Sequence, residues 1–164
     1  MTSPLGAKPP CYRVLIVDDN QNLAKNLRDV LESANELRAE VALAPTGRLA
    51  REHAAREGFD VAVVDVKLPD ESGVDLIGPL RESCPHGEIV LLTGNATVDI
   101  AIAALRAGAF AFVLKSFRPA ELISTVAQAF EKVALKRERE EFERRYRAIV
   151  DAADVLIVGL DVRG

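Results

Sequence analysis

Charged and hydroxyl side chains stand where short apolar runs of the sequence end, and together they could bind a cation and a phosphoryl group. Asp18 and Asp19 follow the first run, Asp65 closes the third, Thr93 follows the fourth and Lys115 follows the fifth. Three carboxylates in one place repel one another unless a cation neutralises them. An all-oxygen set with few protein ligands suits Mg²⁺ or Mn²⁺, which keeps several waters and takes one or two carboxylates plus phosphate oxygens. The residue types therefore indicate phosphoryl chemistry assisted by a divalent cation.

Each of these residues also has an ordinary structural interpretation. Asp19 or Asn20 can simply cap the helix that follows. Thr93 with Gly94 can form a turn, and Lys115 can be solvated. Their convergence is what favours a site, because ligands of open parallel sheets bind beyond the carboxyl ends of the strands.

Short apolar runs alternate with amphipathic stretches along most of the chain. The strand candidates are residues 12–17, 39–44, 61–66, 88–92 and 110–114. The helix candidates are residues 21–34, 46–57, 73–83 and 97–107, with a fifth beginning near Pro119. This alternation predicts a parallel sheet covered by helices on both faces. The first, third and fourth runs are nearly continuous in Val, Ile and Leu, which predicts central strands, whereas the more polar second run is predicted at an edge.

Composition limits the classes of function. The chain has 164 residues, 49% of them hydrophobic, which is enough for one core and a further segment. Its 21 basic and 25 acidic residues give a formal net charge of −4, which argues against a nucleic-acid partner. Two cysteines, Cys11 and Cys84, are too few for a zinc module and fit a reducing compartment. No apolar run approaches the roughly 20 residues that cross a bilayer, and residues 1–11 have the composition of a disordered leader, so we expect a cytoplasmic protein without a membrane partner.

The same positions carry a family resemblance. The motif residues are Asp18-Asp19, Asp65 followed by Leu68-Pro69 and Ser72-Gly73, then Thr93-Gly94, Gly108-Ala109, Phe112 and Lys115. With this set the chain resembles the receiver domains of bacterial two-component systems over about residues 12–130. The resemblance implies an α/β fold with a doubly wound five-stranded parallel sheet in the flavodoxin-like order 2-1-3-4-5, followed here by a long C-terminal helical extension.

By that resemblance Asp65 is the phosphoacceptor in a phosphorelay, and its donor is a histidine kinase or a phosphotransfer protein. Asp18 and Asp19 would hold Mg²⁺ directly or through water, and the backbone carbonyl of Lys67 would complete the metal site with Asp65. Lys115 would bind a phosphoryl oxygen, and we expect its ammonium within salt-bridge reach of Asp65 even without phosphate. Phosphoryl transfer needs mainly positioning and charge neutralisation. Apart from self-catalysed phosphorylation and dephosphorylation, we do not expect the segment to be an enzyme.

Two residues are implied as the switch. The Thr93 hydroxyl would donate a hydrogen bond to the phosphoryl group, for which Gly94 leaves room, and Phe112 stands where the family has an aromatic residue that follows the threonine inward. Because Phe112 lacks a hydroxyl, a plain core role is the alternative. The chain departs from the family at Ser116, which replaces a proline that follows a cis peptide bond. A cis bond before another residue costs about 2.5–4 kcal/mol, so we expect a trans bond between Lys115 and Ser116.

The last predicted helix continues past the receiver-like region as a helical linker, residues 131–150. Apolar and long side chains recur there at heptad spacing, at Leu135, Arg139, Phe142, Tyr146 and Ile149. Such a seam predicts a parallel coiled coil and therefore a homodimer, with Arg139 as a weak core position. A solvated charged helix is the alternative, because residues 136–147 are rich in charge.

The final apolar run, residues 155–158, is interpreted as a strand. Residues 145–164 resemble the opening of a PAS sensory domain, so we expect a receiver domain at 12–130, the linker at 131–150 and a truncated PAS start at 151–164. The parent protein would then continue to a histidine kinase or another output enzyme, and phosphorylation would be an input.

Three rival functions remain to be compared with the sequence. A dehalogenase-type enzyme needs a second aspartate two residues after its nucleophile, and Lys67 stands there. A nucleotide-binding Rossmann domain needs a glycine-rich turn after the first strand, which residues 18–21 lack. A receiver-like module that binds partners without phosphorylation stays open, because the proline after Lys115 is missing.

Overall fold

The computed structural model describes the backbone of residues 11–161 and the side chains of residues 11–154. Within those limits the strands are β1 (Tyr12–Val17), β2 (Ala39–Ala44), β3 (Val61–Asp65), β4 (Glu88–Thr93) and β5 (Ala111–Leu114). The helices are α1 (Gln21–Ser33), α2 (Gly47–Arg56), α3 (Gly73–Ser83), α4 (Val98–Ala107) and α5 (Pro119–Asp161). All strand pairs are parallel, in the order β2-β1-β3-β4-β5. The predicted fold class and strand order are confirmed.

The central strands are those with the most continuous apolar sequence. Every residue of β3 and β4 is buried, whereas β2 lies at an edge and is mostly half-buried. Strands covered on both faces need apolar residues at successive positions, since neighbouring side chains point to opposite sides. The prediction of central and edge strands from composition is therefore correct.

Two hydrophobic layers hold the helices to the sheet. Leu27 of α1 and Leu122 of α5 pack on one face, and Ala50 of α2, Leu76 of α3 and Ala104 of α4 pack on the other. Full burial of a Leu side chain stabilises the folded state by about 1.5–3 kcal/mol relative to exposure. These layers cover both faces of the sheet, and the loops that contain the site residues leave from its two edges.

The helix α5 is longer than predicted. We predicted a strand at residues 155–158, but the helix continues through this run to Asp161, so the strand prediction is wrong. A short apolar run does not distinguish strand from helix by itself. A lone strand would leave its backbone N–H and C=O groups unpaired, whereas a helix pairs them internally.

Two further predictions fall partly outside the described residues. One is the predicted leader, of which residues 1–10 are not described, and the other is the predicted PAS start, of which residues 162–164 are not described. Among the described residues, no helix combines the length and apolar content that spanning a bilayer requires.

Candidate functional site

Four strand ends bring the predicted site residues to the carboxyl edge of the sheet. Asp18 directly follows β1, Asp65 ends β3, Thr93 ends β4 and Lys115 directly follows β5. The strands pair in register up to their last residues, so these ends lie level with one another. The sheet therefore gathers side chains that are far apart in the sequence.

The three aspartates form what we call the carboxylate cluster: Asp18, Asp19 and Asp65, with one oxygen of each within 4.8 Å of the others. Asp18 and Asp65 are only 2% and 4% exposed, whereas Asp19 faces solvent. The helix cap is Asn20, whose side-chain oxygen accepts a hydrogen bond of 3.1 Å from the backbone of Leu23. The capping interpretation is therefore correct for Asn20.

Lys115 lies between the two buried carboxylates. Its Nζ is 2.8 Å from Asp65 Oδ2 and 3.1 Å from Asp18 Oδ2, so the expected ion pair with Asp65 is present. Burial opposes its charge, but the hydrogen bond to Asp65 and the negative charges of both aspartates outweigh burial and raise the pKa of Lys115 above its ordinary value. Lys115 is thus a permanent cation at neutral pH.

The backbone after Lys115 differs from the family pattern without displacing the lysine. No peptide bond in residues 11–161 is cis, so the bond between Lys115 and Ser116 is trans, as expected. Lys115 nevertheless reaches Asp65, and its backbone N–H donates to the carbonyl of Thr93 at 2.8 Å. The missing proline therefore does not remove the lysine from the site.

Local hydrogen bonds fix one oxygen of each buried carboxylate. Asn20 N donates to Asp18 Oδ1 at 2.8 Å, and Lys67 N donates to Asp65 Oδ1 at 3.1 Å. Asp18 Oδ2 accepts no well-directed hydrogen bond within the described chain, although Lys115 is in ion-pair contact with it. A buried oxygen in this state is costly, and hard divalent cations take such oxygens as ligands. The carboxylate cluster fits Mg²⁺.

The loop after Asp65 depends on a glycine. A Cβ atom at Gly73 would lie 2.1 Å from the carbonyl oxygen of Asp65, so any side chain there would force the backbone apart. Gly73 N donates to the carbonyl of Val66 at 2.8 Å, and Lys67 forms a β-bridge with Ser72. The start of α3 is therefore packed directly against Asp65, and the loop that contains Lys67 closes on itself.

Thr93 is engaged in a local turn. It is buried, and its hydroxyl donates to the carbonyl of Asn95 at 2.9 Å and accepts from Asn95 N at 3.3 Å. A Cβ atom at Gly94 would meet no atom of the described residues within 4 Å, so the chain beside Thr93 borders open space. The alternative interpretation of Thr93 and Gly94 as a turn is therefore correct. The open space at Gly94 leaves room for a ligand to approach Thr93.

Phe112 points outward from β5. It is 40% exposed, like Leu114 at 41%, while Val113 between them is buried. Residues of a strand alternate between faces, so the core position belongs to Val113. The alternative that Phe112 is a core residue is therefore wrong for this structure.

A second group of buried acids lies at the opposite, amino edge of the sheet and was missed by the sequence analysis. Asp60 directly precedes β3 and Glu88 begins β4, and they are 3% and 0% exposed. Together with their basic partners we call them the amino-edge cluster: Asp60, Glu88, Arg81, Lys132, Lys136 and Arg137. The only signal in the sequence is an acid at the start of an apolar run.

Basic side chains neutralise the amino-edge cluster. Arg81 lies 3.1 Å and Lys132 lies 3.3 Å from the Glu88 carboxylate, which also accepts a hydrogen bond from Lys136. Burial would raise the pKa of Glu88, but the hydrogen bond from Lys136 and the three positive charges outweigh it and hold that pKa below its ordinary value. Because Lys132 and Lys136 belong to α5, the cluster attaches that helix to the sheet.

Comparisons with known proteins agree with this geometry. Residues 14–127 match the response regulator receiver domain. The chain is 36% identical over 118 residues to the response regulator protein PilR of Pseudomonas aeruginosa, a match that covers 71% of this chain and 26% of that protein. The chain thus spans about a quarter of the length of this curated relative.

Solved structures share the fold. A CheY-like receiver domain protein from Methanospirillum hungatei matches with a TM-score of 0.72 and 27% identity, covering 77% of this chain and 99% of that one. The beryllofluoride-activated NtrC4 receiver domain dimer matches with a TM-score of 0.68 and 34% identity, covering 74% and 98%.

Receiver domains of two-component response regulators act in phosphorylation-based signalling. They interact with histidine kinases or phosphotransfer proteins and bind Mg²⁺ at an acidic pocket, which the carboxylate cluster provides in this chain. The matched range contains the carboxylate cluster, Thr93 and Lys115. By its fold, its strand-end residues and these matches, the chain belongs to the response regulator receiver domain family.

Proposed function

We propose that Asp65 accepts a phosphoryl group from a phosphohistidine of a histidine kinase or phosphotransfer protein, and that the chain is a switch in a phosphorelay. One observation carries the proposal: within the described residues, the three carboxylates of the carboxylate cluster have a single ion-paired cation, Lys115, which contacts Asp18 and Asp65. At the amino edge, by contrast, Asp60 and Glu88 have enough basic partners to offset both of their negative charges. A divalent cation bound there would offset this surplus negative charge of the carboxylate cluster and also the negative charge of an incoming phosphoryl group.

The proposed reaction needs little beyond positioning. An Asp65 oxygen forms a bond to phosphorus while the bond from phosphorus to the donor imidazole nitrogen breaks, and the imidazole leaves with the electron pair. Lys115 neutralises charge that spreads over the phosphoryl oxygens. Mg²⁺, held by Asp18, Asp19, Asp65 and the carbonyl of Lys67, would supply further positive charge. Beyond this self-catalysed phosphorylation and the hydrolysis of the aspartyl phosphate, in which water takes the phosphoryl group and the Asp65 carboxylate is restored, we propose no enzyme activity for the segment.

The switch in this proposal is Thr93 with Phe112. The Thr93 hydroxyl would exchange its hydrogen bond to Asn95 for one to a phosphoryl oxygen, and the open space beside Gly94 supports that approach. Phe112, partly exposed on β5, would then turn inward as Thr93 moves. Phosphorylation would thereby change the surface around β5.

The helix α5 is the proposed output path. One face is held by the receiver domain, through buried Val126 and Val133 and through the bond from Lys136 to Glu88. The stripe on its other face is 62–69% exposed and consists of Leu135, Phe142, Tyr146 and Ile149. The two faces meet near Leu135 and Lys136, so a change in receiver packing would reach the start of the stripe first and the rest of it through the helix.

A second copy of the chain is the proposed occupant of this stripe, in a parallel coiled coil. The heptad spacing supports this partner, and an exposed apolar stripe favours association. Parallel pairing would put both receiver domains at one end and both C-terminal ends at the other, so phosphorylation could shift the register or rotation of two helices. Sedimentation of wild type against Leu135→Asp/Phe142→Asp tests this, with a dimer expected only for wild type. A wild type that stays monomeric at high concentration, or that pairs antiparallel, would contradict it.

The parent protein is proposed to be a cytoplasmic signalling protein that continues into a PAS domain and an output enzyme such as a histidine kinase. The resemblance in sequence of residues 145–164 to a PAS opening supports this order of domains, although the first strand expected at residues 155–158 is helical in this structure. In that arrangement phosphorylation of Asp65 would regulate the output enzyme through α5.

Incubation with phosphoramidate and Mg²⁺, followed by intact-protein mass spectrometry, tests the phosphoacceptor. We expect wild type to gain one phosphoryl group and Asp65→Ala to gain none. Asp75→Asn is the matched control, because Asp75 is an exposed carboxylate in the first turn of α3 and lies outside the carboxylate cluster. A folded wild type that takes no phosphoryl group would favour the alternative function, a receiver-like module that binds partners without phosphorylation.

A further inference from the structure

The loop between β3 and α3 is anchored at its far side by the start of α2. A helix leaves its first backbone N–H groups without partners inside the helix. In α2 the first two of these N–H groups donate hydrogen bonds to the Asp70 carboxylate. Gly47 N donates to Asp70 Oδ1 at 3.0 Å, and Arg48 N donates to Asp70 Oδ2 at 2.9 Å. Asp70 thus uses both carboxylate oxygens on a helix that precedes it by more than twenty residues.

The next N–H groups of α2 donate hydrogen bonds to Thr46, the residue directly before the helix. Leu49 N donates to the Thr46 hydroxyl at 3.2 Å, and Ala50 N donates to the Thr46 backbone carbonyl at 3.0 Å. The contribution of Asp70 is therefore separate from the N-cap. The two backbone hydrogen bonds, which are the main cause, hold the pKa of Asp70 below its ordinary value, so this contact keeps its charge at neutral pH.

Glu71 makes a second contact between the same two segments. A Cβ atom at Gly47 would lie 2.2 Å from Glu71 Oε1, so the glycine leaves the space that the Glu71 side chain occupies. Glu71 also pairs with Arg51 of α2 at 2.5 Å. Two successive residues of the loop are thus fixed to α2 by backbone and side-chain contacts.

Lys67 lies between this anchor and the carboxylate cluster. Its N–H donates to Asp65 at 3.1 Å on one side, and its bridge to Ser72 closes the loop on the other. We infer that Asp70 is a positioning residue for the cation site: by tying the loop to α2, it holds the Lys67 carbonyl where a divalent cation bound to the carboxylate cluster requires it. The inference rests on the proposed function. A loop ordered in advance does not have to lose conformational freedom when the cation binds.

Mg²⁺ titration of the whole chain by calorimetry tests the inference. Groups that orient metal ligands typically change affinity 10–100-fold when removed, and we expect Asp70→Ala to weaken Mg²⁺ binding by roughly tenfold. Asp70→Asn keeps one acceptor oxygen and should fall between Asp70→Ala and wild type. Without Mg²⁺, the amide of Lys67 should exchange its hydrogen faster in Asp70→Ala than in wild type.

Thr46→Ala is the matched control, because it removes a hydrogen bond from the same turn of α2 without touching the loop. We expect Thr46→Ala to lower thermal stability while leaving Mg²⁺ affinity and Lys67 exchange unchanged. Equal losses of affinity in Asp70→Ala and Thr46→Ala, or wild-type affinity in Asp70→Ala, would overturn the inference alone. A wild type that binds no Mg²⁺ would overturn the proposed function together with it.

Discussion

The two edges of the sheet both contain buried acids, but only at the amino edge do basic side chains offset the charge of every acid. At the amino edge, Asp60 and Glu88 are paired with basic residues from α3 and α5. At the carboxyl edge, the three acids of the carboxylate cluster share Lys115, the one cation within ion-pair distance in the described chain. The same fold thus contains one neutralised set of carboxylates and one set with surplus negative charge.

This difference separates a structural role from a chemical one. Buried negative charge is costly unless it is paired and hydrogen-bonded, so a set of acids with too few basic partners favours the binding of a cation. In the amino-edge cluster both carboxylates are paired with basic side chains, although Arg81 Nε has no hydrogen-bond partner among the described residues, and the pairs fix α5 to the sheet. The carboxylate cluster has the composition of a cation site, and burial alone would not distinguish the two clusters.

The largest expected effect concerns the proposed phosphoacceptor. Beryllofluoride with Mg²⁺ should stabilise wild type, by about 2.7 kcal/mol at a ligand concentration 100 times its Kd. Asp65→Asn removes the oxygen that would bind beryllium and should abolish this stabilisation. Thermal unfolding with and without beryllofluoride measures it, and a full shift in Asp65→Asn would mean that the acceptor is another residue.

The amino-edge cluster should respond in the opposite way. Glu88→Gln leaves Arg81, Lys132 and Lys136 without their carboxylate, and we expect a loss of about 2 kcal/mol in the free energy of unfolding. The lysines can turn to water, which keeps the loss below that of a fully buried pair. Denaturant titration measures it, and beryllofluoride should still stabilise the variant. Loss of the beryllofluoride effect would mean that the two edges are not independent.

A smaller effect of opposite sign is expected at Asp19. Asp19→Asn removes one of three repelling carboxylates, so stability without metal should rise by about 0.5 kcal/mol, the scale of exposed charge pairs. Mg²⁺ affinity should fall at the same time. Unfolding and Mg²⁺ titration of the same sample check both, and lower stability without metal would argue against surplus negative charge.

The smallest effects should appear at the extremes of pH. The pKa of Lys115 is raised above 10.5, so its stabilisation is complete below that value and is lost as pH rises through the raised pKa. The pKa of Glu88 is lowered below 4.5, so its stabilisation is complete above that value and is lost as pH falls through the lowered pKa. Lys115→Met should flatten the alkaline limb of the stability profile, and Glu88→Gln the acid limb. If Lys115→Met flattened the acid limb instead, or Glu88→Gln the alkaline limb, the comparison between the two edges would be contradicted.

Much of the carboxyl edge could be predicted from sequence. Alternating strands and helices imply parallel strands with level ends, and Asp18, Asp65 and Lys115 stand directly at those ends. The helix cap could not be assigned between Asp19 and Asn20, because both are adjacent to the helix and both side chains can cap it. The hydrogen bond from Leu23 N to Asn20 Oδ1 in the structure identifies Asn20 as the cap.

The parts that sequence could not predict depend on contacts between distant segments. The partners of Glu88 include Lys136, which is 48 residues away, and no local pattern connects them. The contact of Asp70 with α2 is hidden for the same reason. The outward direction of Phe112 depends on which face of β5 the helices cover, and residues 155–158 were misassigned because a short apolar run suits either a strand or a helix.

The central claim, that the carboxylate cluster binds a divalent cation and the amino-edge cluster does not, is tested most directly by Mn²⁺ titration of the isotope-labelled chain observed by NMR. Paramagnetic broadening should appear first and most strongly at the amides of Asp19, Asn20 and Lys67, beside the carboxylate cluster, and should be weaker at the amides of Val61 and Ile89 at the amino edge. Broadening that begins at Val61 and Ile89, or that spreads evenly over both edges, would contradict the account.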